Sequence, residues 1–136
     1  MKNFKTLQSR AKNNANSDAA NIDLKPLFDD CMGDCDMLEE LIGLYKKNIL
    51  EFVGQTKINL ENQDCKGLKF SIHKLKCSLL LLKTQDLFNI VEKMHVICVA
   101  EEDTGQLQNL FKCFLDSYPS IERAIDKQFL NLLNKE

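Results

Sequence analysis

Apolar side chains recur three and four residues apart along most of the chain from Leu38 to Leu132. That spacing places them on one face of an α-helix, whereas a half-buried strand alternates every second residue. Alternating runs of Val, Ile and Thr are almost absent, and only two prolines and five glycines occur in 136 residues. The pattern predicts an all-α fold. The length predicts one domain, since a single core usually takes ~100–200 residues.

Capping and breaking residues divide the pattern into five predicted helices. The first covers residues 22–31, with Asp23 as its cap and Pro26 in its first turn, and Gly33 ends it. The second helix begins at Asp34 or Asp36 and ends near Asn62. The third begins after a cap at Asp64 and ends near Leu82. The fourth begins after a cap at Thr84, and the fifth begins after Thr104-Gly105. Pro119 lies inside the fifth pattern and predicts a kink or break near residues 117–120.

Short connections between long amphipathic helices make neighbouring helices antiparallel. We therefore expect residues 21–136 to form an antiparallel up-and-down four-helix bundle with a short extra N-terminal helix. Residues 1–20 are rich in Lys, Asn, Ser and Ala, with Phe4 and Leu7 as their large apolar residues besides Met1. This composition predicts a flexible tail.

Composition and charge narrow the class of protein. The 18 basic and 20 acidic residues give a net charge of −2, which argues against nucleic-acid binding. The longest apolar run, Leu79 to Leu82, is far short of the ~20 residues that span a membrane. The N-terminus has no apolar segment typical of a secretory signal, so we expect a cytoplasmic protein. In that reducing compartment the six cysteines should be free thiols, most of them in the core.

The third predicted helix carries a histidine that does not belong to its core face. At 100° per residue, one stripe about 80° wide collects the core residues of this helix, which are Leu68, Ile72, Leu75, Leu79 and Leu82. His73 projects about 140° from the middle of that stripe. The pattern therefore predicts that His73 points away from the core.

The neighbours of His73 combine positive charge with apolar surface. Lys69 and Lys76 flank it on the helix, and residues 66–83 contain five lysines and no acidic residue. These cations would stabilise an anionic group on the imidazole. The apolar residues beside it, which would form a docking surface for a partner, are Phe70, Cys77, Leu80 and Leu81. Periodicity alone leaves open a second reading, in which these apolar residues pack against other helices and His73 has no role.

At these residues the chain resembles the histidine-containing phosphotransfer (HPt) domain family of multistep two-component phosphorelays. The family motif is roughly His-x-Leu-Lys-Gly-Ser, then Leu-Gly, then a leucine-rich helix that ends in Glu. The matching residues here are His73-Lys74-Leu75-Lys76-Cys77-Ser78, Leu82-Lys83, and Leu87, Ile90, Val91 and Glu92. Upstream, Gly33-Asp34, Leu38, Leu41 and Tyr45 resemble a further family segment. The resemblance covers roughly residues 22–133.

The resemblance implies a role for each matching residue. His73 would be the phosphorylated histidine, Lys76 would steady the phosphoryl oxygens, and Ser78 matches a small polar position. His95 stands where many family members have a glutamine that hydrogen-bonds the active imidazole; it could orient His73, compete with it or simply be an exposed polar residue. Two family glycines are replaced, by Cys77 and Lys83. These departures raise the possibility of a divergent partner or a non-phosphorylated relative.

The implied function is that of a phosphocarrier between receiver domains. His73 would accept a phosphoryl group from a receiver aspartate and pass it to another receiver, within a pathway that includes a hybrid sensor histidine kinase. Any Mg²⁺ would belong to the receiver, so the resemblance implies no cofactor here. The chain has neither a P-loop nor a GxGxxG motif, which favours a carrier over a kinase or other enzyme.

Three other functions remain open on the sequence. The first is a degenerate, non-phosphorylated helical module that docks a receiver or another signalling protein, which Cys77 favours. A metal site built from His73, Cys77 and His95 is disfavoured, because Lys69 and Lys76 would repel a cation. Nucleic-acid binding through the lysines is also disfavoured, because Phe70 is the one aromatic residue among them.

Overall fold

The protein, represented by a computed structural model, is described over residues 22–100 and 104–135, and this part is all-helical. Its five helices are α1 (Lys25–Asp30), α2 (Cys35–Glu61), α3 (Cys65–Leu81), α4 (Gln85–Ala100) and α5 (Thr104–Asn134). The predicted all-α class is thus confirmed for the described residues. The predicted tail at 1–20 lies outside them. None of the described helices is both long enough and apolar enough to cross a membrane.

Two of the predicted caps form as expected. Asp34 Oδ1 accepts hydrogen bonds from the Asp36 and Met37 amides, at 2.9 and 3.2 Å, and so caps α2. Asp64 Oδ1 accepts one from the Gly67 amide at 2.8 Å and caps α3. These bonds satisfy amide donors that the first turn of a helix leaves without partners. The caps explain why the sequence located both helix starts to within a residue or two.

Thr84 precedes α4 as predicted, but its hydroxyl has a different role. Thr84 Oγ1 donates to the Leu79 carbonyl at 3.1 Å and accepts from the Tyr45 hydroxyl at 3.0 Å. Both Thr84 and Tyr45 are buried. The side chain therefore ties the connection between α3 and α4 to α2.

Pro119 does not break α5. Of the predicted kink or break, the break is therefore wrong, and the kink stays a prediction. The helix is continuous from Thr104 to Asn134. Pro119 lies on its exposed side, where water can bind the carbonyl that lacks an amide donor. Ser120 Oγ also donates to the Ser117 carbonyl at 3.2 Å, which adds a local bond beside the proline. Packing of the residues around it, including buried Ile121 and Ile125, keeps the helix in one piece.

The ends of α1, α2 and α3 share one backbone motif. In each, a residue with positive φ follows the cap: Met32 at 57°, Gln63 at 53° and Lys83 at 54°. At the end of α3, the Thr84 amide bonds the Leu79 carbonyl at 2.9 Å and the Lys83 amide bonds the Leu80 carbonyl at 3.1 Å. This pairing is the Schellman motif, whose left-handed position favours glycine. None of the three positions is glycine. The sequence had pointed to Lys83, as the replacement of a family glycine, but not to Met32 or Gln63.

Replacing Lys83 with glycine is expected to stabilise the protein. A side chain with Cβ is strained at the positive φ of 54° that Lys83 adopts, and glycine relieves that strain at some entropic cost. A left-handed residue with Cβ costs ~1–2 kcal/mol, and the entropy cost of glycine offsets part of this, so we expect K83G to raise the free energy of unfolding by about 0.5–1 kcal/mol. Urea denaturation followed by circular dichroism measures the change. K83A keeps Cβ and should give no gain. Equal stability of the two variants would contradict the argument.

The predicted core stripe of α3 is confirmed. Leu68, Ile72, Leu75, Leu79 and Leu82 are all at most 2% exposed. The apolar stripe of α4 is likewise buried, and its residues are Leu87, Ile90, Val91, Met94, Ile97 and Cys98. From α2, Phe52 packs against two aromatic rings of α5, with centroid distances of 6.4 Å to Phe111 and 5.1 Å to Phe114. The long helices thus share one apolar core.

Contacts between helices show which pairs of helices run antiparallel. Between α2 and α3, Asn48 donates to Ser78 at 2.7 Å, and Asn59 bonds Ser71 at 3.5 Å. Later residues of α2 therefore meet earlier residues of α3, as in an antiparallel pair. Between α2 and α5, Lys46 pairs with Asp126 at 2.7 Å, while Phe52 further along α2 meets earlier rings of α5. That pair is antiparallel as well.

Candidate functional site

His73 is exposed on α3, on the side away from the buried stripe. Its predicted orientation is thereby confirmed. Among the described residues, no hydrogen bond or ion pair engages its imidazole. Both ring nitrogens are thus open to solvent or to a molecule that approaches this face. Elsewhere on α3 the buried positions hold the helix in place, so the backbone that carries His73 is fixed by the core.

Apolar side chains surround His73 without entering the core. Phe70 is 65% exposed, Leu80 54% and Leu81 40%, and Cys77 is exposed as well. The reading in which these residues pack against other helices is therefore wrong for Phe70, Leu80 and Leu81. We call His73 with these four residues the His73 surface. Exposed apolar side chains clustered on one face are typical of a contact site for another molecule.

A lysine and a groove border the His73 surface on the side of α2. Lys74 Nζ lies 5.7 Å from the centre of the Phe70 ring, within the range of a cation–π contact. Beyond them, a groove of about 610 Å³ runs between α3 and α2. Its lining from α2 includes Asn48, Glu51 and Gln55. Phe70 itself lines the groove, so a partner's side chain can contact the ring there.

Lys76 borders the His73 surface on the side of α4 and is not free. Its ammonium forms an ion pair with Glu92 of α4, and the two side chains are 23% and 43% exposed. Lys76 lies one helical turn from His73 on the same side of α3. The sequence analysis assigned Lys76 to phosphoryl binding but did not identify Glu92 as its partner. The family-like motif contained both residues, and only the packing of α3 on α4 brings them together.

Lys69 and Ser78, the other predicted supporting residues of α3, lie in different surroundings. Lys69 is half-buried on the α4 side, one turn before His73. Ser78 is buried, and its hydroxyl accepts the hydrogen bond from Asn48 of α2. On a helix it stands about 140° from His73, so it lies outside the His73 surface. Ser78 holds α3 against α2 behind the site.

His95 of α4 lies at about the level of His73. The Lys76–Glu92 ion pair gives the register of α3 against α4, and the contact between Cys65 and Cys98 shows that the two helices run in opposite directions. His73 lies three residues before Lys76 in α3, and His95 lies three residues after Glu92 in α4. The two histidines therefore lie at about the same level. His95 is half-buried, and no hydrogen bond joins the two imidazoles in the described residues.

Two exposed valines of α4 add apolar area beside the His73 surface. They were not predicted from the sequence. Val96 is 63% exposed and Val99 59% exposed. They follow Glu92 by four and seven residues, which places all three on one strip of the helix. Because Glu92 faces Lys76, this strip adjoins α3. Both valines stand outside the buried stripe of α4, and this position was the signal in the sequence that could have identified them as exposed.

The cysteines differ in burial and therefore in their expected reactivity. All six are free thiols; Cys77 is exposed, whereas Cys31, Cys98 and Cys113 are buried. Burial, together with the neighbouring Cys65, raises the pKa of Cys98 to about 11. Burial likewise raises the pKa values of the Cys31 and Cys113 thiols. Because the thiolate is the reactive form, these three sites should react slowly with alkylating agents.

We expect Cys77 to be alkylated far ahead of the buried cysteines. At pH 7.5, iodoacetamide should modify Cys77 at least about a hundredfold faster than Cys98, because Cys98 is both buried and shifted toward the thiol. Peptide mass spectrometry over time gives the rates at each site. C77S should lose the fast phase, and C98S should keep it. Comparable rates at the two cysteines in native protein would contradict the exposure described here.

In the described residues, no group of three or more His, Cys, Asp and Glu side chains could hold a metal ion. His73, Cys77 and His95 therefore do not form such a group there.

No protein-family model, curated protein or solved structure matches the chain. The candidate site is thus defined by its own residues: an imidazole without a partner in the described part of the chain, the exposed apolar residues around it and the lysines on both flanks.

Proposed function

We propose that the protein is a phosphorelay carrier of the HPt type, with His73 as its phosphoacceptor. The observation that carries the proposal is the exposed His73 imidazole, without a partner in the described residues and surrounded by Phe70, Leu80 and Leu81. A catalytic group of a self-contained enzyme usually lies in a concave pocket. An imidazole on a convex, partly apolar helix face is better suited to react with a group that another protein presents.

The proposed chemistry is a reversible transfer between two proteins. Nε2 of His73 attacks the phosphorus of a receiver's aspartyl phosphate; the nitrogen–phosphorus bond forms while the carboxylate leaves with the electrons of its phosphorus–oxygen bond. The ring proton passes to solvent. Such transfers depend on in-line positioning and charge neutralisation. Lys76 and Lys69 would supply part of the positive charge, and the receiver would hold the Mg²⁺.

The proposal includes the arrangement and surroundings of the protein. The four long helices would form an antiparallel up-and-down bundle, with α1 added beside it. The partners would be response-regulator receiver domains and a hybrid sensor histidine kinase in the cytoplasm. The protein would act as a carrier and not as an enzyme with its own ATP site. Nucleic acid and membrane would have no part in this function.

The test is transfer of labelled phosphate from a receiver. A panel of receiver domains is phosphorylated with ³²P, each is mixed with the protein, and the label is followed on gels before and after acid treatment. We expect acid-labile label to appear on the protein within the time of the receiver's own hydrolysis. Mass spectrometry under alkaline conditions should locate it on the peptide that contains His73. Absence of label with every receiver, together with measurable binding to one, would overturn the carrier proposal.

A docking module without phosphate is the second candidate, and one observation favours it. Lys76 is engaged by Glu92, so its ammonium is not free to meet a phosphoryl group without leaving that partner. In such a module the His73 surface would bind a receiver through its apolar residues alone. Binding measured by calorimetry, unchanged between phosphorylated and unphosphorylated receiver and with no transfer of label, is the expected result for that function.

A further inference from the structure

Glu92 is the acidic residue that, among the described residues, forms an ion pair with a lysine beside His73. Its Oε1 atom is buried and forms the ion pair with Lys76, and it has no further partner in the described residues. The other lysines of residues 66–83 form no ion pair in the described part of the chain. One carboxylate from α4 therefore engages the lysine that lies one turn from the proposed phosphoacceptor.

Separating this pair is unfavourable for Glu92. If Lys76 leaves, the buried Oε1 atom loses its one partner in the described residues, while the rest of the Glu92 side chain, which is 43% exposed overall, stays partly solvated. The Lys76 side chain is only 23% exposed, so solvent screens the pair less than it screens a fully exposed one. The ammonium is consequently held toward α4 by a partly exposed ion pair.

We propose that Glu92 is a positioning residue that competes with the phosphoryl group of His73 for Lys76. This inference rests on the proposed function. A phosphoryl group carries roughly two negative charges near neutral pH and would stand one turn from Lys76. Glu92 and the phosphoryl group then share one ammonium. Because Glu92 retains part of that contact, the phosphohistidine is stabilised less than it would be beside a free lysine.

The consequence is a phosphohistidine that gives up its phosphoryl group readily. Neutralising charge on the phosphoryl oxygens lowers the free energy of the phosphorylated protein and slows loss of the group. When Glu92 retains Lys76, the phosphorylated protein is less stable and loses its phosphoryl group faster. This favours transfer of the group to the next receiver over its retention on His73. The inference names a residue of α4, outside the short His-x-x-Lys motif, as a determinant of phosphohistidine lifetime.

The experiment uses a small phosphoryl donor, so that it does not depend on a receiver. The chain has two histidines, and the His95→Gln variant leaves His73 as the single acceptor. Phosphoramidate transfers its phosphoryl group to the imidazole: the donor's nitrogen–phosphorus bond breaks, ammonia leaves, and a bond to His73 forms. After the donor is removed, the half-life is followed by ³¹P NMR. In this decay, water supplies the oxygen bound to phosphorus and the proton returned to the ring, and orthophosphate leaves.

In the H95Q background, we expect E92Q to lengthen the half-life of phospho-His73 about three- to fivefold, a factor typical of a partly exposed ion pair. The ³¹P resonance should shift as Lys76 moves to the phosphoryl group. Adding K76Q to E92Q should cancel the gain, and K76Q alone should give none. Glu40→Gln, an exposed Glu of α2, is the matched control and should leave the half-life unchanged.

Three results would overturn the inference: an unchanged half-life in E92Q, a shorter one, or a gain that survives K76Q. If E92Q fails to fold by circular dichroism, Glu92→Asp keeps the charge but shortens the reach, and it should give a smaller lengthening. Failure of this inference can be told apart from failure of the proposed function. Labelling by phosphoramidate without labelling by any receiver overturns the carrier function alone, whereas failure of both donors overturns both.

Discussion

Substitution of His73 by glutamine is expected to abolish phosphate transfer to the protein. The glutamine amide nitrogen has no available lone pair, so it cannot attack phosphorus, and labelling from a phosphorylated receiver should fall at least about a hundredfold. The His73 side chain is exposed and has no partner in the described residues. H73Q should therefore change the free energy of unfolding by no more than about 0.5 kcal/mol. Gel-based transfer and urea denaturation measure the two effects separately.

His95→Gln is the matched control for H73Q. It makes the same chemical change on the half-buried neighbour in α4. We expect H95Q to keep label on His73. Label that persists in H73Q and disappears in H95Q would move the phosphoacceptor to α4. Equal loss in both variants would indicate that the two imidazoles act together.

Truncation of two adjacent leucines of α3 should lower the free energy of unfolding by very different amounts. Leu79 is fully buried, whereas Leu80 is 54% exposed on the His73 surface. L79A leaves a cavity in the core and should lower the free energy of unfolding by about 2–5 kcal/mol. L80A removes the same atoms from the surface and should cost about 0.5 kcal/mol or less. Chemical denaturation of the two variants under the same conditions measures the difference.

Receiver binding should be weakened by L80A and not by L79A, whereas stability is lowered mainly by L79A. L80A removes apolar contact area from the His73 surface and should weaken receiver binding about tenfold, as truncation of a contributing interface residue does. L79A should keep nearly full affinity wherever it is folded. Leu50→Ala, on an exposed residue of α2 outside the His73 surface, is the control for removal of exposed apolar area. Loss of affinity in L50A equal to that in L80A would contradict the proposed docking surface.

The charge around His73 depends on two helices. Residues 66–83 suggested an uninterrupted cationic face around His73, because no acidic residue occurs among them. The contact with Glu92 changes that reading for Lys76. A pattern confined to one helix cannot show which charges the next helix brings to it. The proposed competition for Lys76 therefore depends on the packing of α3 against α4.

What the sequence determined by itself is local. Helix spacing identified the core face of α3 and left His73 off it, and Asp34 and Asp64 fixed two helix starts, because caps and amphipathic stripes act within a few residues. The pairing of Lys76 with Glu92 and the burial of Ser78 against Asn48 were decided only by tertiary structure. These contacts depend on the register and rotation of one helix against another, which the whole core sets and no single stretch of sequence encodes.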